Sequence, residues 1–386
     1  MQIQLITNNT QFKLLKNSWH NLQTNGAVKN ITTSWEWMST WWDVFHEDRE
    51  LAILTFTKNE EVIGIAPFVK RKTRLLGFLP YVKLEFMASG EEEQDEICTD
   101  YLDIIVKKGY EQIVTESLFN YLIISNKIKW DELLLPRMDS ESIIPSLKDQ
   151  LARKYRIHIE KIKTSTCCYA KLPTSYENFL LQLGKKTRYK INRGIRKLGD
   201  ENELSFKISK TSEEIKLAKE SLIQLHQSRW NTKGKQGVFS SKKFRLFHDI
   251  FIEKTLNKNW IQVGTLYLGE TPVACIYNFN FLGKIHSYQS GVTISDSWDI
   301  SYGMIAHTFA IKEAITQGNI EYDFLAGVSG YKERLAKNRR EIISFRISKP
   351  SLYETIRKTL LLLKKATINF VQFAKQLITM NSKRKS

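Results

Sequence analysis

The pattern of apolar and polar positions between residues 284 and 335 predicts two strand–loop–helix units in succession. Side chains alternate between apolar and polar over 285–289, which is typical of a half-buried strand. Apolar residues then recur at near-helical spacing over 305–315, and a second strand is predicted over 320–325. A short helix follows from residue 331. The expected order is therefore strand, loop, helix, strand, loop, helix.

The loop of the first unit offers a place for a phosphate-bearing carrier. Asp296, Asp299 and Ser301 are able to cap the helix that follows, because their side-chain oxygens accept hydrogen bonds from free backbone N–H groups. A helix that begins just after a strand points a positive dipole end at the loop, and phosphates bind readily there. The same pattern also fits an ordinary strand–helix–strand unit that has no ligand.

The remaining hydrophobic pattern predicts a second mixed domain. Residues 51–106 favour an antiparallel sheet, and residues 110–160 alternate between helix and strand. We predict an α/β fold with mixed α+β sheets, built as tandem domains. The expected boundaries give an N-terminal domain over 1–168, a C-terminal domain over 169–348, and a basic amphipathic helix and tail over 349–386.

Composition and charge narrow the function classes. The chain has 386 residues, of which 42% are hydrophobic, so it is globular in composition. Its formal charge of +17 favours an anionic partner, although a lysine-rich exposed surface would also account for it. The four cysteines lack metal-ligand spacing, so we expect reduced thiols and no metal. We expect a cytoplasmic protein, peripheral to the inner face of the membrane if its tail binds lipid.

Two segments concentrate the basic residues. Residues 185–198 carry seven basic side chains and no acidic one, and they predict a helix with one apolar face. This helix is either a solvated exterior or a clamp for phosphate or an acidic polymer. Residues 351–386 carry eight Lys or Arg and one Glu on a predicted amphipathic helix. That helix either packs on the domain or lies on anionic lipid.

Several motifs in order along the chain resemble those of one known family. The run Tyr322-Asp323-Phe324-Leu325-Ala326-Gly327, followed by Tyr331-Lys332, resembles its "fDfl-G-x-x-x-YK" motif. Cys98–Asp103 resembles its "sDY-x-D" segment, and His226–Trp230 resembles its "H-x-x-R-W" element. The Trp-rich segment around Trp37 and the basic helix also have counterparts. The family is that of the CelD-like acetyltransferases, which belongs to the GNAT superfamily and is related to the Fem peptidyl transferases.

The resemblance implies tandem GNAT-like domains, the first of them degenerate. It also implies transfer of an acyl group from acyl-CoA, with acetyl-CoA as the expected donor, to an amino sugar or a similar small acceptor. The process would belong to exopolysaccharide or cell-envelope synthesis. One feature departs from typical GNAT enzymes: Ser301-Tyr302-Gly303 stands where the Gln/Arg-x-x-Gly-x-Gly/Ala pyrophosphate loop is expected.

Direct transfer needs a carrier site, a place for the acceptor and a proton acceptor. We expect Asp323 to orient the acceptor or take its proton, His226 to accept a proton near neutral pH, and Tyr331 to protonate the leaving thiolate. The other expected contacts fall into two groups. Those to the donor are Ser301, Tyr302, Gly303, Lys332 and Arg334, and those to the acceptor are Arg229, Trp230, Tyr288 and Trp37.

Two other functions remain open at this stage. A Fem-like transferase that uses aminoacyl-tRNA is favoured by the basic helix and the net charge, and is disfavoured because no coiled-coil arm is predicted. A non-catalytic GNAT-like scaffold that binds an envelope or polysaccharide machinery is favoured by the irregular carrier loop. Steeply salt-dependent binding of tRNA would distinguish the first of these.

Overall fold

The computed structural model describes residues 1–125, 127–201, 203–293, 301–363 and 367. The N-terminal half, residues 1–171, contains the helices α1 (Asn9–Leu14), α2 (Lys16–Asn25), α3 (Trp35–Phe45), α4 (Glu111–Phe119) and α5 (Ile143–Tyr155). Its strands are β1 (Gln2–Ile6), β2 (Glu50–Leu51), β3 (Ile53–Lys58), β4 (Glu61–Ala66), β5 (Phe68–Leu75), β6 (Leu79–Phe86), β7 (Ile105–Val106), β8 (Glu132–Asp139) and β9 (His158–Lys171).

The C-terminal half contains the two predicted strand–helix units. Its helices are α6 (Tyr176–Gln182), α7 (Lys185–Glu201), α8 (Ser212–Asn231), α9 (Lys242–Thr255), α10 (Tyr302–Thr316) and α11 (Gly330–Leu335). Its strands are β10 (Leu204–Ser209), β11 (Ile261–Leu268), β12 (Thr271–Phe281), β13 (Lys284–Val292), β14 (Glu321–Ala326) and β15 (Asn338–Ser348). The predicted order of β13, α10, β14 and α11 is confirmed.

Most described strands join one mixed sheet that crosses both halves. The order in this sheet is β10-β11-β12-β13-β14-β9-β15-β8-β6-β5-β2, and a smaller sheet has the order β1-β3-β4-β7. Within the described part of the chain, parallel pairing occurs between β13 and β14 and between β6 and β8. The predicted α/β fold with mixed sheets is therefore confirmed.

The two halves exchange their last strands. β9 of the N-terminal half pairs with β14, and β15 of the C-terminal half pairs with β8. The two exchanged strands also pair with each other at the centre of the sheet. The boundary expected between residues 168 and 169 therefore falls inside β9, and the sheet continues across it.

Each parallel pair of strands opens into a fork. β13 and β14 are in register over three residue pairs, from Lys284 opposite Glu321 to His286 opposite Asp323, and they then separate. β6 and β8 are likewise paired over three positions and then separate. We call these openings the C-terminal fork and the N-terminal fork. Each leaves a cavity between its strands.

Helix α3 lies deep between the two halves, which explains its composition. Ser34 caps it by accepting a hydrogen bond from the backbone N–H of Trp37 at 3.1 Å. Trp37 and Trp41 have no exposed surface, and α9 packs on the same helix. The Trp-rich sequence is therefore that of a helix buried on most sides.

Helix α7 has the predicted apolar face, because Ile191 and Leu198 are buried while most of its basic residues are exposed. At the end of the segment predicted as an antiparallel sheet, the last strand is short and comprises Ile105–Val106. Residues 352–363 are helical, and of the residues beyond 363 the structure describes residue 367 alone. Within the described ranges, no helix is long and apolar enough to cross a membrane.

Candidate active site

The C-terminal fork holds a cavity of about 230 Å³. One wall is the end of β13, residues 287–290, and the other is the end of β14, residues 324–326. Tyr331 and Lys332 of α11 also line it. The carboxyl ends of neighbouring parallel strands are where ligands commonly bind in α/β proteins, so this cavity is the candidate active site.

The wall formed by β13 has an open edge. β13 pairs with β12 as far as Val292, but its register with β14 ends at His286. On the cavity side of residues 287–290, the described structure therefore provides no strand partner. Backbone N–H groups on such an edge are fixed dipoles, and they can bind a carbonyl oxygen on which negative charge develops.

Lys332 holds the end of β14 in place. Its Nζ donates hydrogen bonds to the backbone oxygens of Phe324 at 2.7 Å and Ala326 at 3.1 Å. Between them Leu325 has a φ of +56°, a left-handed backbone that costs a non-glycine residue energy. Burial lowers the pKa of Lys332. Because its ammonium already binds these carbonyls, Lys332 shapes the cavity wall rather than offering a free charge to a phosphate.

Tyr331 stands at the cavity on a stack of aromatic rings. It lies parallel to His307, with 5.1 Å between the ring centres, and edge-on to Phe324. Burial raises the pKa of Tyr331, so the phenol keeps its proton at neutral pH and can donate it. His307 Nδ1 is 3.0 Å from the Tyr322 hydroxyl, and burial lowers its pKa to about 3. The sequence analysis did not identify His307.

Asp323 lies behind the cavity wall and is fully buried. Its Oδ2 accepts hydrogen bonds from the Tyr101 hydroxyl at 2.7 Å and from Arg340 Nη1 at 3.0 Å. Its Oδ1 accepts one from the backbone N–H of Leu325 at 2.7 Å. Burial raises the pKa of Asp323 to about 6. Asp323 is not among the described residues that line the cavity, so its contacts fit a positioning role better than direct proton transfer from an acceptor.

A loop from the N-terminal half closes the candidate site. Asp100 Oδ2 accepts a hydrogen bond from the backbone N–H of Ala326 at 2.8 Å, and its Oδ1 binds Arg137 Nε at 2.7 Å. Cys98, Asp100 and Arg137 all line the cavity. The motif at 98–103 signalled this loop, but the sequence did not show that it reaches β14. The site is therefore built by both halves.

The expected acceptor-binding residues are not all brought together. Tyr288 lines the cavity, and its hydroxyl donates a hydrogen bond to the backbone oxygen of Ile97 at 2.6 Å. Trp37 is 6.0 Å from Tyr288 between ring centres, but it is completely buried among aromatic rings. Trp37 therefore packs against the ring of Tyr288 from the side of the hydrophobic core. The expectation that Trp37 touches an acceptor does not fit this geometry.

The end of α8 lies beside the fork. His226 is buried against Phe239, at 5.0 Å between ring centres, and its Nδ1 is 3.0 Å from Gln227 Oε1. Burial lowers the pKa of His226, which leaves the ring neutral. Arg229 is exposed on the same helix, and Trp230 is half-buried. None of these three is among the described residues that line the cavity.

The expected donor contacts lie at the start of α10 and on α11. Ser301 caps α10, as predicted, by accepting a hydrogen bond from the backbone N–H of Met304 at 3.3 Å. Tyr302 is half-buried, and an added Cβ at Gly303 would lie 3.2 Å from Val292 at the end of β13. Arg334 is exposed on α11. Asp296 and Asp299, the other expected caps, lie outside the described residues.

The N-terminal fork contains a different set of side chains. Its cavity of about 290 Å³ is lined by Glu85, Glu91 and Glu96. Burial raises the pKa of Glu91 to about 7, and its carboxylate accepts a hydrogen bond from Trp41 Nε1. Carboxylates repel the phosphates of a nucleotide carrier. Among the described residues of both halves, no group of His, Cys, Asp and Glu side chains is arranged to hold a metal ion.

Comparisons with known proteins give one domain match and several fold similarities. Residues 185–333 match the family described as an acetyltransferase (GNAT) domain. A search of curated protein sequences gives no match. The structure of FemX is similar, with a TM-score of 0.62 and 8% identity, over 90% of this chain and 97% of that one. A conserved protein of unknown function from Bacteroides thetaiotaomicron VPI-5482 is also similar, with a TM-score of 0.52 and 11% identity, over 90% of this chain and 99% of that one.

A tandem GNAT protein from the clavulanic acid biosynthesis pathway also matches, with a TM-score of 0.45 and 9% identity, over 91% of this chain and 100% of that one. The family match covers α7 to α11, and so includes the C-terminal fork and both strands that form it. Residues 185–333 therefore match an acetyltransferase (GNAT) domain, within a fold similar to that of FemX.

Proposed function

We propose that this chain is a CelD-like acyltransferase that moves an acyl group from acyl-CoA to the amine or hydroxyl of a small acceptor, such as an amino sugar, at the C-terminal fork. One observation carries the proposal. The open edge of β13 and the phenol of Tyr331 line the same cavity, so a carbonyl-binding edge and a proton donor meet there. The transferase class agrees with the matched domain.

The donor would lie between the diverging strands. Backbone N–H groups of residues 287–290 would hold the thioester oxygen. The phosphates of CoA would approach the start of α10, where Ser301, Tyr302 and Gly303 surround the first free N–H groups and the positive end of the helix dipole. Exposed Arg334 would add a positive charge for the phosphates.

The transfer step balances with Tyr331 as the proton carrier. The neutral acceptor nitrogen or oxygen attacks the thioester carbon, a bond to that carbon forms, and the carbon–sulfur bond breaks. The departing thiolate takes the phenolic proton, and the phenolate that remains takes the proton that the acceptor has lost. Asp323, Arg340 and Lys332 act as positioning residues, because they hold β14 and the strained Leu325 at the cavity.

Thermal unfolding of the full chain with CoA, acetyl-CoA and longer acyl-CoAs tests donor binding. A donor at a hundred times its dissociation constant adds about 2.7 kcal/mol to the free energy of unfolding. Pantetheine, which lacks the nucleotide, is the matched control for the phosphate contacts. Release of free thiol in the presence of amino sugars then tests transfer. The proposal fails if no acyl-CoA shifts the unfolding temperature and no thiol is released.

A second candidate is a Fem-like transfer from aminoacyl-tRNA. The fold similarity to FemX favours it, and so does the exposed basic side of α7, which packs beside α10 through Gly194 and Ile305. Such a protein would bind tRNA with an affinity that falls steeply as salt rises, because each phosphate contact releases counterions. Binding of tRNA without any response to acyl-CoA would favour this candidate.

A third candidate is a scaffold at an anionic membrane surface. Leu352, Leu362 and Leu363 of the helix at 352–363 are 74%, 69% and 60% exposed, in a segment rich in basic residues. We expect the full chain to co-sediment with anionic vesicles more strongly than a chain that ends at residue 363. This truncation keeps Glu354, whose carboxylate binds buried Arg346 at 2.7 Å. Equal sedimentation would exclude residues 364–386 as a lipid contact.

A further inference from the structure

A separate cavity of about 540 Å³ lies on the far side of α3 from the aromatic core. α1, α3 and the end of α9 enclose it. Its described lining residues include none of those that line the two forks. Its volume lies within the range that is usual for small-molecule sites.

Two tryptophans of α3 form its walls. Trp35 and Trp42 line the cavity and keep 7% and 8% of their surface exposed, whereas Trp37 and Trp41 point into the core. The indole N–H of Trp42 donates a hydrogen bond to Asn9 Oδ1 at 2.6 Å, which fixes the orientation of the ring. The Trp-rich helix therefore places two rings in the core and two at a cavity.

Between these walls lies a buried carboxylate, one oxygen of which lacks a hydrogen-bond partner among the described residues. Glu36 is 3% exposed, and its Oε1 is 2.9 Å from both Lys258 Nζ and His20 Nε2. Its Oε2 has no hydrogen-bond partner among the described residues. A buried acceptor without a partner is costly, and a donor from a ligand would remove that cost.

Positive charge surrounds the opening. Four lysines line the cavity against two carboxylates, those of Glu36 and Asp43. Lys254 and Lys258 are paired with these two carboxylates. Lys13 and Lys16 of the first two helices are exposed at the opening. An anionic group on a ligand would find its partners in this second pair of lysines.

We propose that this cavity binds an anionic sugar, which is a saccharide unit that carries a carboxylate or a phosphate. The indole walls suit the apolar C–H face of a sugar ring, the unpartnered oxygen of Glu36 suits the donor O–H of a sugar hydroxyl, and Lys13 and Lys16 suit the anionic group. The site is independent of acyl transfer at the C-terminal fork. It would hold a saccharide while the fork remains free.

Calorimetric titration of the full chain with glucuronate, glucose 1-phosphate, glucose and inorganic phosphate tests the proposal. The first two probes represent the two sources of negative charge. We expect at least one of them to bind at least tenfold more tightly than glucose and than phosphate. Saturation with acetyl-CoA should leave this binding unchanged. Displacement by acetyl-CoA, or phosphate binding as tight as that of the sugars, would overturn the proposal.

Variants locate the site on the chain. The double variant Lys13→Ala/Lys16→Ala should weaken binding of the charged sugar at least tenfold. Lys108→Ala/Lys129→Ala is the matched control, because both lysines are exposed and neither lines this cavity. Trp42→Leu should weaken binding of the charged sugar and glucose alike. Unchanged binding in the first variant, confirmed as folded by its unfolding temperature, would contradict the assignment.

Discussion

The two forks have the same backbone topology but are lined by different side chains. In each, a parallel pair is in register over three positions before its strands separate. The registers make Glu132 of β8 equivalent to Glu321 of β14, and each of these glutamates pairs with an arginine of β15. Two positions further along, Leu134 stands where β14 has Asp323. The halves thus share their frame and differ at the residue that braces the cavity wall.

The two cavities also differ in the side chains that line them. Asp100, Tyr331 and Lys332 line the C-terminal fork, whereas the N-terminal fork is lined by three glutamates and Lys163, and Arg137 lines both. Among the described lining residues, the N-terminal fork therefore has three carboxylates and the C-terminal fork has one, that of Asp100.

The largest expected effect comes from making the C-terminal strand resemble its counterpart. Asp323→Leu would leave the Tyr101 hydroxyl and Arg340 without their shared partner. Breaking a buried ion pair costs about 3–5 kcal/mol, and urea unfolding measures this loss. Asp323→Asn keeps an acceptor oxygen for the Leu325 N–H and should lose less. A loss below about 1 kcal/mol for the leucine variant would mean that this carboxylate does not brace the fork.

Glu91 of the N-terminal fork should make the stability of the chain depend on pH. The pKa of Glu91 is about 7 in the folded chain, above the value of 4.5 for a free glutamate. Its contribution to stability is therefore complete below pH 4.5 and is lost as pH rises through 7. Glu91→Gln removes this loss, so the variant should be more stable than the native chain at pH 8 by about 2 kcal/mol.

The difference in unfolding free energy between Glu91→Gln and the native chain should shrink as pH falls from 8 to 5. Glu92→Gln, at the exposed neighbouring position, is the matched control and should show no such trend. A constant difference over this pH range would show that Glu91 does not titrate with a raised pKa.

A smaller effect is expected at the reacting end of the C-terminal fork. Tyr331→Phe keeps the stack on His307 but removes the phenolic proton, so turnover should fall at least tenfold, or about 1.4 kcal/mol of barrier. The donor-induced shift in unfolding temperature should remain, which separates chemistry from binding. Native turnover in this variant would remove Tyr331 from the mechanism.

The smallest effect is expected in the other fork. Ser89 lines the N-terminal cavity, and its hydroxyl donates a hydrogen bond to the backbone oxygen of Phe86 at 2.6 Å. Ser89→Ala should cost about 1 kcal/mol of stability and leave both donor binding and turnover unchanged. If the shift in unfolding temperature caused by the donor disappears in Ser89→Ala, the donor binds in the N-terminal fork and not in the C-terminal fork.

Local patterns predicted the elements that form the C-terminal fork. Helical and strand periodicities lie within a few residues of β13, α10 and β14, and the Ser34 and Ser301 caps depend only on neighbouring residues. These features are encoded within short windows of sequence, so they can be predicted without knowledge of the fold.

Features that depend on distant partners could not be predicted in the same way. The pattern around Trp37 does not show that α9 covers that side of α3. Asp100 and Tyr101 reach β14 only because a loop of one half crosses to the other. The sequence led us to expect that Asp323 orients the acceptor or takes its proton, whereas its contacts fit a role in positioning β14. This difference could not be predicted, because its partners Tyr101 and Arg340 come from a distant loop and a distant strand.

The exchange of last strands has a consequence for how the chain folds. β8 lies between β6 and β15, and the Glu132–Arg346 contact between β8 and β15 joins residues 214 positions apart. During synthesis the N-terminal half leaves the ribosome long before β15 exists. One edge of β8 stays open in that interval, and open strand edges attract other chains. We therefore expect the chain to fold slowly, because contacts between residues so far apart in sequence give it a high contact order. We also expect the N-terminal half to aggregate when it is expressed alone.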